Sequence, residues 1–414
     1  MHLLSVISAL IALGQACPMH GLPDHVAAEN NIDVANLRKR GWVRPAPQKI
    51  AITNVHVFDG FEYDNQTSTV VIDGSFIGSD ATNATIIDGK GATLMPGLID
   101  NHNHPTTIAD LKNLSSYGVT TTMCMSCWVA TDQCESLRNQ PGLTDFYSAG
   151  FSAVVPNSSH SKLAETNPAV NAPEYFIYNS SMCPGWVKDR FNTGSDYIKL
   201  VAEAYPPSMT QDEHNIIVKT AHQYGYWTMT HASTLDAYNM AIESGTDIIQ
   251  HTPADEPLPD ASIAKILAGG HYVTPTVNIY QYTQAATVSL GLTAEQTANL
   301  NQTVPGNVKR MYDAGIPILA GTDGSINSNG PADIYFGSSL HQELEMLNSY
   351  GVSNLDVLKA ATSRAAVAYN MLDRGVIAPG MRADLLLVKG NPLVNISKTR
   401  EIEKVWIAGT EYEG

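Results

Sequence analysis

The sequence predicts an α/β fold, a (β/α)8 TIM barrel spanning residues 95–375. Two observations predict it. Short apolar or β-branched runs recur along this part of the chain, and helical stretches such as 212–224 and 257–268 separate them. Because one strand–helix unit takes about 30 residues, the segment has room for eight units, the number that closes such a barrel.

Eight strands can be placed in chain order. The first is the apolar run 93–100, which we expect to be buried and to end near Asn101. The other seven are predicted at 119–123, 149–155, 196–201, 226–231, 246–251, 272–277 and 316–323. In this fold, functional side chains gather at the C-terminal ends of the strands.

Two histidines separated by one residue, His102 and His104, follow the first strand. Because side chains alternate along an extended chain, both imidazoles project from the same face. Neutral imidazole is a common ligand for zinc and similar metals. The pair therefore indicates a metal site, although His-x-His alone is a weak signal.

Four more potential ligands lie within or at the ends of predicted strands, namely Lys199, His231, His251 and Asp323. The intervals between them fit whole strand–helix units, which places the ligands on strands one, four, five, six and eight. Each has an ordinary explanation by itself: a strand lysine, structural histidines, or a helix N-cap at Asp323. All six ligands together are better explained by a metal centre.

With its C-terminal segments, this ligand set resembles the amidohydrolase superfamily, in the branch with two metals bridged by a carboxylated lysine. Those segments are 360–368, 373–380, 383–388, 390–392 and 405–407. The resemblance covers nearly all of residues 50–410 and is strongest to imidazolonepropionases, Xaa-Pro dipeptidases and mycotoxin-amide hydrolases. It implies a small β-sandwich built from both chain ends, residues 49–94 and 376–414, beside the barrel.

The resemblance also implies two divalent metal ions, with zinc as the first expectation and manganese or iron left open. The residues assigned are His102, His104 and Asp323 for the first metal, and His231 and His251 for the second. N-carboxylated Lys199 would bridge the two metals, since an ammonium has no acceptor atom. Burial lowers the pKa of a lysine, and the neutral amine can then add carbon dioxide.

A water between the two metals would lose a proton near neutral pH. Asp323 would accept that proton as general base and return it to the leaving group. His160, in the loop after strand three, is a second catalytic candidate that would contact the substrate or its oxyanion. Tyr205, just beyond strand four, is a further substrate-binding candidate. The histidines interpreted as structural are His56, His214, His222, His271 and His341.

We therefore expect a metal-dependent hydrolase of amide bonds in a small molecule or dipeptide. Lactone or ester hydrolysis is an alternative, because the same centre could activate water against either carbonyl. Deamination is another alternative, but deaminases of this superfamily typically use one metal and lack the strand-four lysine, so Lys199 counts against it. A metal-free binding protein on the same fold is the non-enzyme alternative, and six intact ligands count against that one.

Acidic residues dominate the composition, with 40 Asp and Glu against 24 Lys and Arg, a net charge of −16 and a pI of about 5.1. This balance argues against nucleic acid and anionic membranes as partners. The expected partner is a small-molecule substrate, and a homo-oligomer is left open.

The N-terminus predicts secretion. An apolar run at 3–13 followed by small residues indicates a signal peptide over residues 1–16. Residues 17–48 resemble a leader or proregion, in which the basic run 37–40 could equally be a processing site or a solvated helix end. Seven Asn-x-Ser/Thr sequons support a secreted or vacuolar glycoprotein: Asn65, Asn83, Asn113, Asn157, Asn179, Asn301 and Asn395.

Four cysteines lie beyond the leader, Cys124, Cys127, Cys134 and Cys183, and they allow three pairings. We expect disulfides in the loops after strands two and three, as in an oxidising compartment. A redox centre or structural zinc site at Cys124 and Cys127 fits less well, because the sequence has no second Cys-x-x-Cys.

Overall fold

A computed structural model describes residues 49–414 except 166, 168, 169, 204, 282–291 and 327–332. The predicted signal peptide and leader, residues 1–48, lie outside the described residues. No helix in the described part of the chain is both long and apolar enough to cross a bilayer.

The strands and helices of the described residues have the following bounds. The strands are β1 Lys49–Phe58, β2 Tyr63–Asp73, β3 Phe76–Gly78, β4 Thr85–Asp88, β5 Thr93–Pro96, β6 Leu98–Asn103, β7 Val119–Cys124, β8 Asp145–Ser148, β9 Ile198–Val201, β10 Thr228–His231, β11 Ile248–Gln250, β12 Tyr272–Thr274, β13 Leu385–Val388, β14 Ile402–Ile407 and β15 Thr410–Glu411. The α-helices are α1 Ile108–Ser116, α2 Thr131–Glu135, α3 Ser161–Glu165, α4 Cys183–Asn192, α5 Gln211–Gln223, α6 Leu235–Ser244, α7 Asp260–Gly269, α8 Ala294–Asp313, α9 Ser338–Ser349, α10 Asn354–Ala360 and α11 Ser363–Ala368.

Strands from both chain ends form one mixed eight-stranded sheet. Its order is β15-β14-β13-β5-β1-β2-β3, with β4 beside β1. An additional antiparallel bridge joins Phe76 to Arg382, just before β13, so the sheet curls back on itself. Apolar residues such as Ile52, Leu385 and Trp406 pack together as its core. The expected sandwich is thus one continuous curled sheet, because β5 pairs with both β1 and β13.

The apolar run 93–100 was predicted as one strand, and the structure shows two. β5 belongs to the mixed sheet, whereas β6 belongs to a parallel sheet with β7 and β8. The break falls at Gly97, where a Cβ would lie 2.3 Å from the side chain of Thr120. The preceding Pro96 has no N–H to continue a ladder, so one apolar run supplies two sheets.

The central strands form two parallel sheets, β6-β7-β8 and β9-β10-β11-β12. Backbone bridges connect these sheets on both sides. On one side, Ala153 pairs with Leu200. On the other side, the segment after α8 lies between the sheets, where Ile318 pairs with Val273 and Gly324 pairs with Asn103. The predicted eighth strand, 316–323, therefore forms isolated bridges only. Pro317 lacks a donor, and Asp323 turns the chain with a φ of 57°.

The prediction for the third strand was wrong. That strand is β8, and the predicted residues 149–155 follow it as an irregular buried segment. Gly150 has a φ of 65°, which interrupts extended pairing. Phe151 and Val154 are nevertheless buried, because they pack against Phe176 and its neighbours rather than within a sheet.

Both predicted helices are present, as α5 and α7. The helix α5 has a capping box in which Thr210 and Glu213 satisfy each other's backbone N–H groups. The helix α7 begins three residues later than predicted, because Pro259 takes the N-cap position with an extended backbone.

A disulfide joins Cys127 to Cys134 in the segment after β7, as expected for that loop. Cys124 and Cys183 are buried free thiols. The expected disulfide in the loop after strand three is therefore wrong for the described residues, because Cys183 has no cysteine to pair with there.

Candidate metal centre

The structure brings three strand-end groups into direct contact. Asp323 Oδ1 lies 3.2 Å from His102 Nε2 and 3.1 Å from His104 Nε2. One potential ligand atom from each of His102, His251 and Asp323 lies within 4.8 Å of the other two. These residues come from β6, from the position after β11 and from the turn after residue 322, so the group depends on how the two parallel sheets are arranged.

A row of imidazoles extends from this group. The ring centroids of His102 and His251 are 4.7 Å apart, those of His251 and His231 are 4.3 Å apart, and those of His231 and His160 are 4.2 Å apart. Lys199 projects from β9, the strand next to the one that ends at His231. All six predicted ligands are therefore located around one end of the parallel strands.

Two of these residues have unusual backbone conformations. His251 has a φ of 74° and Asp323 a φ of 57°, a left-handed region that costs a non-glycine residue roughly 1–2 kcal/mol. Hydrogen bonds stabilise both turns, from His251 N to Thr274 O at 2.8 Å and from Asp323 N to His102 O at 2.8 Å. Such strain concentrates at functional sites, and here it points two side chains toward a common centre.

Partners that the sequence analysis missed orient the imidazoles. His104 Nδ1 donates to the backbone carbonyl of Ser126 at 3.0 Å, since a carbonyl can only accept. His102 Nδ1 is 2.7 Å from Gln250 Oε1, and His251 Nδ1 is 2.7 Å from Thr276 Oγ1. A donor bond at Nδ1 leaves Nε2 with its lone pair, which is the state that binds metal.

Asp100 is a further buried carboxylate missed by the sequence analysis. It accepts hydrogen bonds from Thr322 Oγ1 at 2.8 Å and from the backbone N–H of His102 at 3.2 Å. Burial raises the pKa of Asp100 to about 7, against these hydrogen bonds. Asp100 thereby links the strand that carries His102 to the turn that carries Asp323.

The electrostatics of the cluster favour neutral imidazoles. Burial, followed by the charge of Lys199, lowers the pKa of His102 to about 4. Burial also lowers the pKa values of His231 and His251 well below the usual value. For Asp323, burial alone would raise the pKa, but the imidazoles of His102 and His104 keep the pKa of the carboxyl well below its usual range. The cluster thus combines neutral nitrogen donors with an ionised carboxylate.

Lys199 is the most unusual member of the group. It is only 3% exposed, and its side-chain amine forms no hydrogen bond or salt bridge with a described residue, although its backbone carbonyl accepts from Ala153 N at 2.8 Å. Burial lowers the pKa of Lys199 to about 7, although the charge of Asp323 opposes this shift. A buried lysine whose amine has no hydrogen-bond or ion-pair partner among the described residues, beside histidines and a carboxylate, fits a site for divalent metal ions in which the amine is uncharged.

The two predicted substrate-contact residues, His160 and Tyr205, lie at different distances from the buried group. His160 lies beside His231 and hydrogen-bonds Glu203, with 2.9 Å between His160 Nδ1 and Glu203 Oε1. Tyr205 is 68% exposed, so the structure does not bring its side chain into the buried group. The histidines interpreted as structural form other contacts, for example His341 with Thr399.

Residues 93–411 match the family model described as "Amidohydrolase family". The chain belongs to the amidohydrolase family. The match begins at β5 and ends at β15, so it includes every predicted ligand as well as the C-terminal strands of the mixed sheet.

The individual proteins to which the chain is similar share less than 30% sequence identity with it. The chain is 28% identical over 205 residues to an imidazolonepropionase from Deinococcus deserti, a match that covers 48% of this chain and 45% of that protein. The chain thus spans less than half the length of that relative. The structure of a Xaa-Pro dipeptidase with bound methionine superposes with a TM-score of 0.73 at 21% identity, covering 89% of this chain and 100% of the other. A. niger ochratoxinase superposes with a TM-score of 0.69 at 18% identity, covering 89% and 96%.

Proposed function

We propose that this amidohydrolase is a metal-dependent hydrolase of amide C–N bonds in a small molecule or dipeptide. One observation carries the proposal: ligand atoms of His102, His251 and Asp323 lie within 4.8 Å of one another at the ends of parallel strands. Family membership supports it, as do similar proteins named as an imidazolonepropionase and a Xaa-Pro dipeptidase. The proposal includes closure of the two parallel sheets into a (β/α)8 barrel, with residues 316–324 as the eighth strand.

The metal assignment is part of the proposal. His102, His104 and Asp323 would bind one divalent ion, and His231 and His251 a second, with zinc as the first expectation. The neutral Nζ of Lys199 would add to carbon dioxide and lose one proton, which gives a carbamate whose two oxygens can each bind one ion. This modification is supported by the burial of the Lys199 amine, which has no hydrogen-bond partner among the described residues.

The ions, when bound, would supply Lewis acidity that acidifies water and polarises the scissile carbonyl. The residues supply the proton transfer and the orientation. Asp323 Oδ1 lies against two imidazoles, which leaves Oδ2 to accept a proton from the attacking water and return it to the departing amine. His160, at the end of the row of imidazoles, would contact the substrate carbonyl.

Metal content tests the proposal directly. Purified protein should contain about two divalent ions per chain by elemental analysis, and a chelator should abolish hydrolysis of dipeptides, N-acyl amino acids or aryl amides. His251→Ala should lose metal, because it removes a ligand from the cluster. The matched control is His222→Ala, since His222 pairs with Asp247 outside the site. Full activity of metal-free protein would refute the proposal of a metal-dependent hydrolase. If esters and lactones were added to the screen and only they were cleaved, ester or lactone hydrolysis would replace amide hydrolysis as the proposed activity.

We further propose that the protein enters the secretory pathway and carries N-linked glycans. The asparagines of all seven sequons are exposed in the structure, as a glycan attachment site requires. The disulfide between Cys127 and Cys134 is also consistent with an oxidising compartment.

Secretion predicts two properties of protein from its native source. Its mature N-terminus should lie near or beyond residue 17, and glycosidase treatment should reduce its mass. Intact-mass analysis and N-terminal sequencing measure both. Protein that keeps Met1 and does not change in mass would contradict the assignment.

A further inference from the structure

Glu203 lies two residues beyond β9, the strand that carries Lys199. Its Oε1 accepts three hydrogen bonds: from His160 Nδ1 at 2.9 Å, from the backbone N–H of His160 at 3.3 Å, and from the hydroxyl of Ser159. One carboxylate oxygen therefore ties the loop that carries His160 to the strand that carries Lys199.

This contact determines which ring nitrogen of His160 carries a proton. An ionised carboxylate can only accept a hydrogen bond, so Nδ1 must be the donor to Glu203. No described residue hydrogen-bonds Nε2, and the ring lies 4.2 Å from that of His231. Nε2 is thus the nitrogen that remains to contact a ligand at the metal centre.

The burial of the pair favours a functional interpretation. The side chain of Glu203 is 11% exposed, whereas that of His160 is 28% exposed. A mostly buried carboxylate is costly unless it is well hydrogen-bonded, and here its side-chain donors are Ser159 and His160. The more exposed ring contacts this carboxylate through Nδ1 and lies beside the ring of His231.

We propose that Glu203 is a positioning residue that fixes the tautomer and the direction of His160, so that Nε2 faces the substrate carbonyl. The inference rests on the proposed hydrolase function. Glu203 touches neither the substrate nor a metal ligand in this scheme, and it acts only through His160. Carboxylates in this role typically contribute about 10- to 100-fold to activity or metal affinity.

A double-mutant cycle tests the proposal. Glu203→Ala and His160→Ala should each lower kcat/KM by about 10- to 100-fold, and the double variant should lose no more than His160→Ala alone. Glu203→Gln should retain most activity, because its amide oxygen can still accept from Nδ1. Losses that multiply in the double variant would show that Glu203 acts independently of His160 and would overturn the proposal.

The loop offers a matched control. Glu165 accepts hydrogen bonds from the backbone N–H of Asn157 and from Ser161 Oγ, both at 2.7 Å, and so secures the same loop without touching His160. Glu165→Ala should leave kcat/KM near that of the wild-type protein. A loss equal to that of Glu203→Ala would show that general loop order is the cause, which would also overturn the proposal.

A readout without substrate separates this inference from the proposed function. In ¹⁵N NMR of the histidine rings, with His160→Ala identifying the resonance, the ring proton of His160 should reside on Nδ1. Glu203→Ala should shift it toward Nε2 while metal content stays unchanged. If the His160 ring of the wild-type protein were protonated only on Nε2, the role of Glu203 would be refuted, even if no amide substrate were ever cleaved.

Discussion

Replacement of Asp323 by asparagine should lower kcat by about 10²–10⁴-fold, the usual contribution of general acid–base catalysis. Burial would raise the pKa of the Asp323 carboxyl, but His102 and His104 keep that pKa well below its usual range, and in the proposed mechanism this carboxylate both binds metal and accepts a proton. Asparagine keeps the size and one ligating oxygen but has neither the charge nor the basicity. The fold should survive, because the substitution is isosteric, and KM should change much less than kcat.

The measurement compares kcat, KM and metal content of Asp323→Asn with those of Asp313→Asn. Asp313 is a suitable control because it lies on the surface of α8 and pairs only with Lys309 among the described residues. Asp313→Asn should have the kcat, KM and metal content of the wild-type protein. If Asp323→Asn retained its metals and a near-normal kcat, another group would be the base, and His160 would be the next residue to test.

Lys199→Ala should lose most activity and at least one of the two metal ions. The change removes the lysine that would bridge the ions as a carbamate in the proposed centre, and it leaves a space among the buried residues where the side chain was. Acetate or propionate should restore part of the activity, because a short carboxylate can supply two oxygens in the same space. Metal analysis and activity measured against carboxylate concentration check both effects.

Lys309→Ala, a change to a surface lysine paired with Asp313, provides the control and should need no rescue. The two-metal scheme fails if Lys199→Ala keeps both ions and full activity. It also fails if a high-resolution crystal structure shows an unmodified Lys199 beside a single ion. That second outcome would favour deamination as the alternative function, because deaminases of this superfamily typically use one metal.

The proximity of the six candidate residues could be predicted because parallel strands end at one edge of their sheet, so regular spacing along the chain brings strand ends close together in space. The third strand could not be predicted by the same pattern. Residues 149–155 are more apolar than β8, yet Phe151 and Val154 are buried by packing beside Phe176, and only Ala153 makes a strand-like bridge, to Leu200. Apolar character reports burial, and it does not distinguish a strand from an irregular buried segment.

The partners of the imidazoles were also beyond prediction. A histidine that binds metal needs an acceptor for its other nitrogen, but a backbone carbonyl such as that of Ser126 can come from any residue. Gln250 directly precedes His251 in the sequence yet contacts His102. The pairing of Glu203 with His160 depends on the loop conformation, which no spacing rule specifies. Sequence patterns therefore predicted which candidate residues lie together, but not the groups that orient their side chains.

The connection from β5 to β6 joins the curled sheet to the first parallel sheet through a single residue. Gly97 alone separates these strands, and its N–H donates to Asp384 O at 2.8 Å, next to β13. Arg374 and Arg382 add ion pairs to Asp145 on β8. Metal–ligand distances tolerate only about 0.2 Å of variation, and His102 lies five residues after Gly97. These contacts attach the curled sheet to the strand that carries His102, so in the proposed metal centre a shift of the sheet would also move His102.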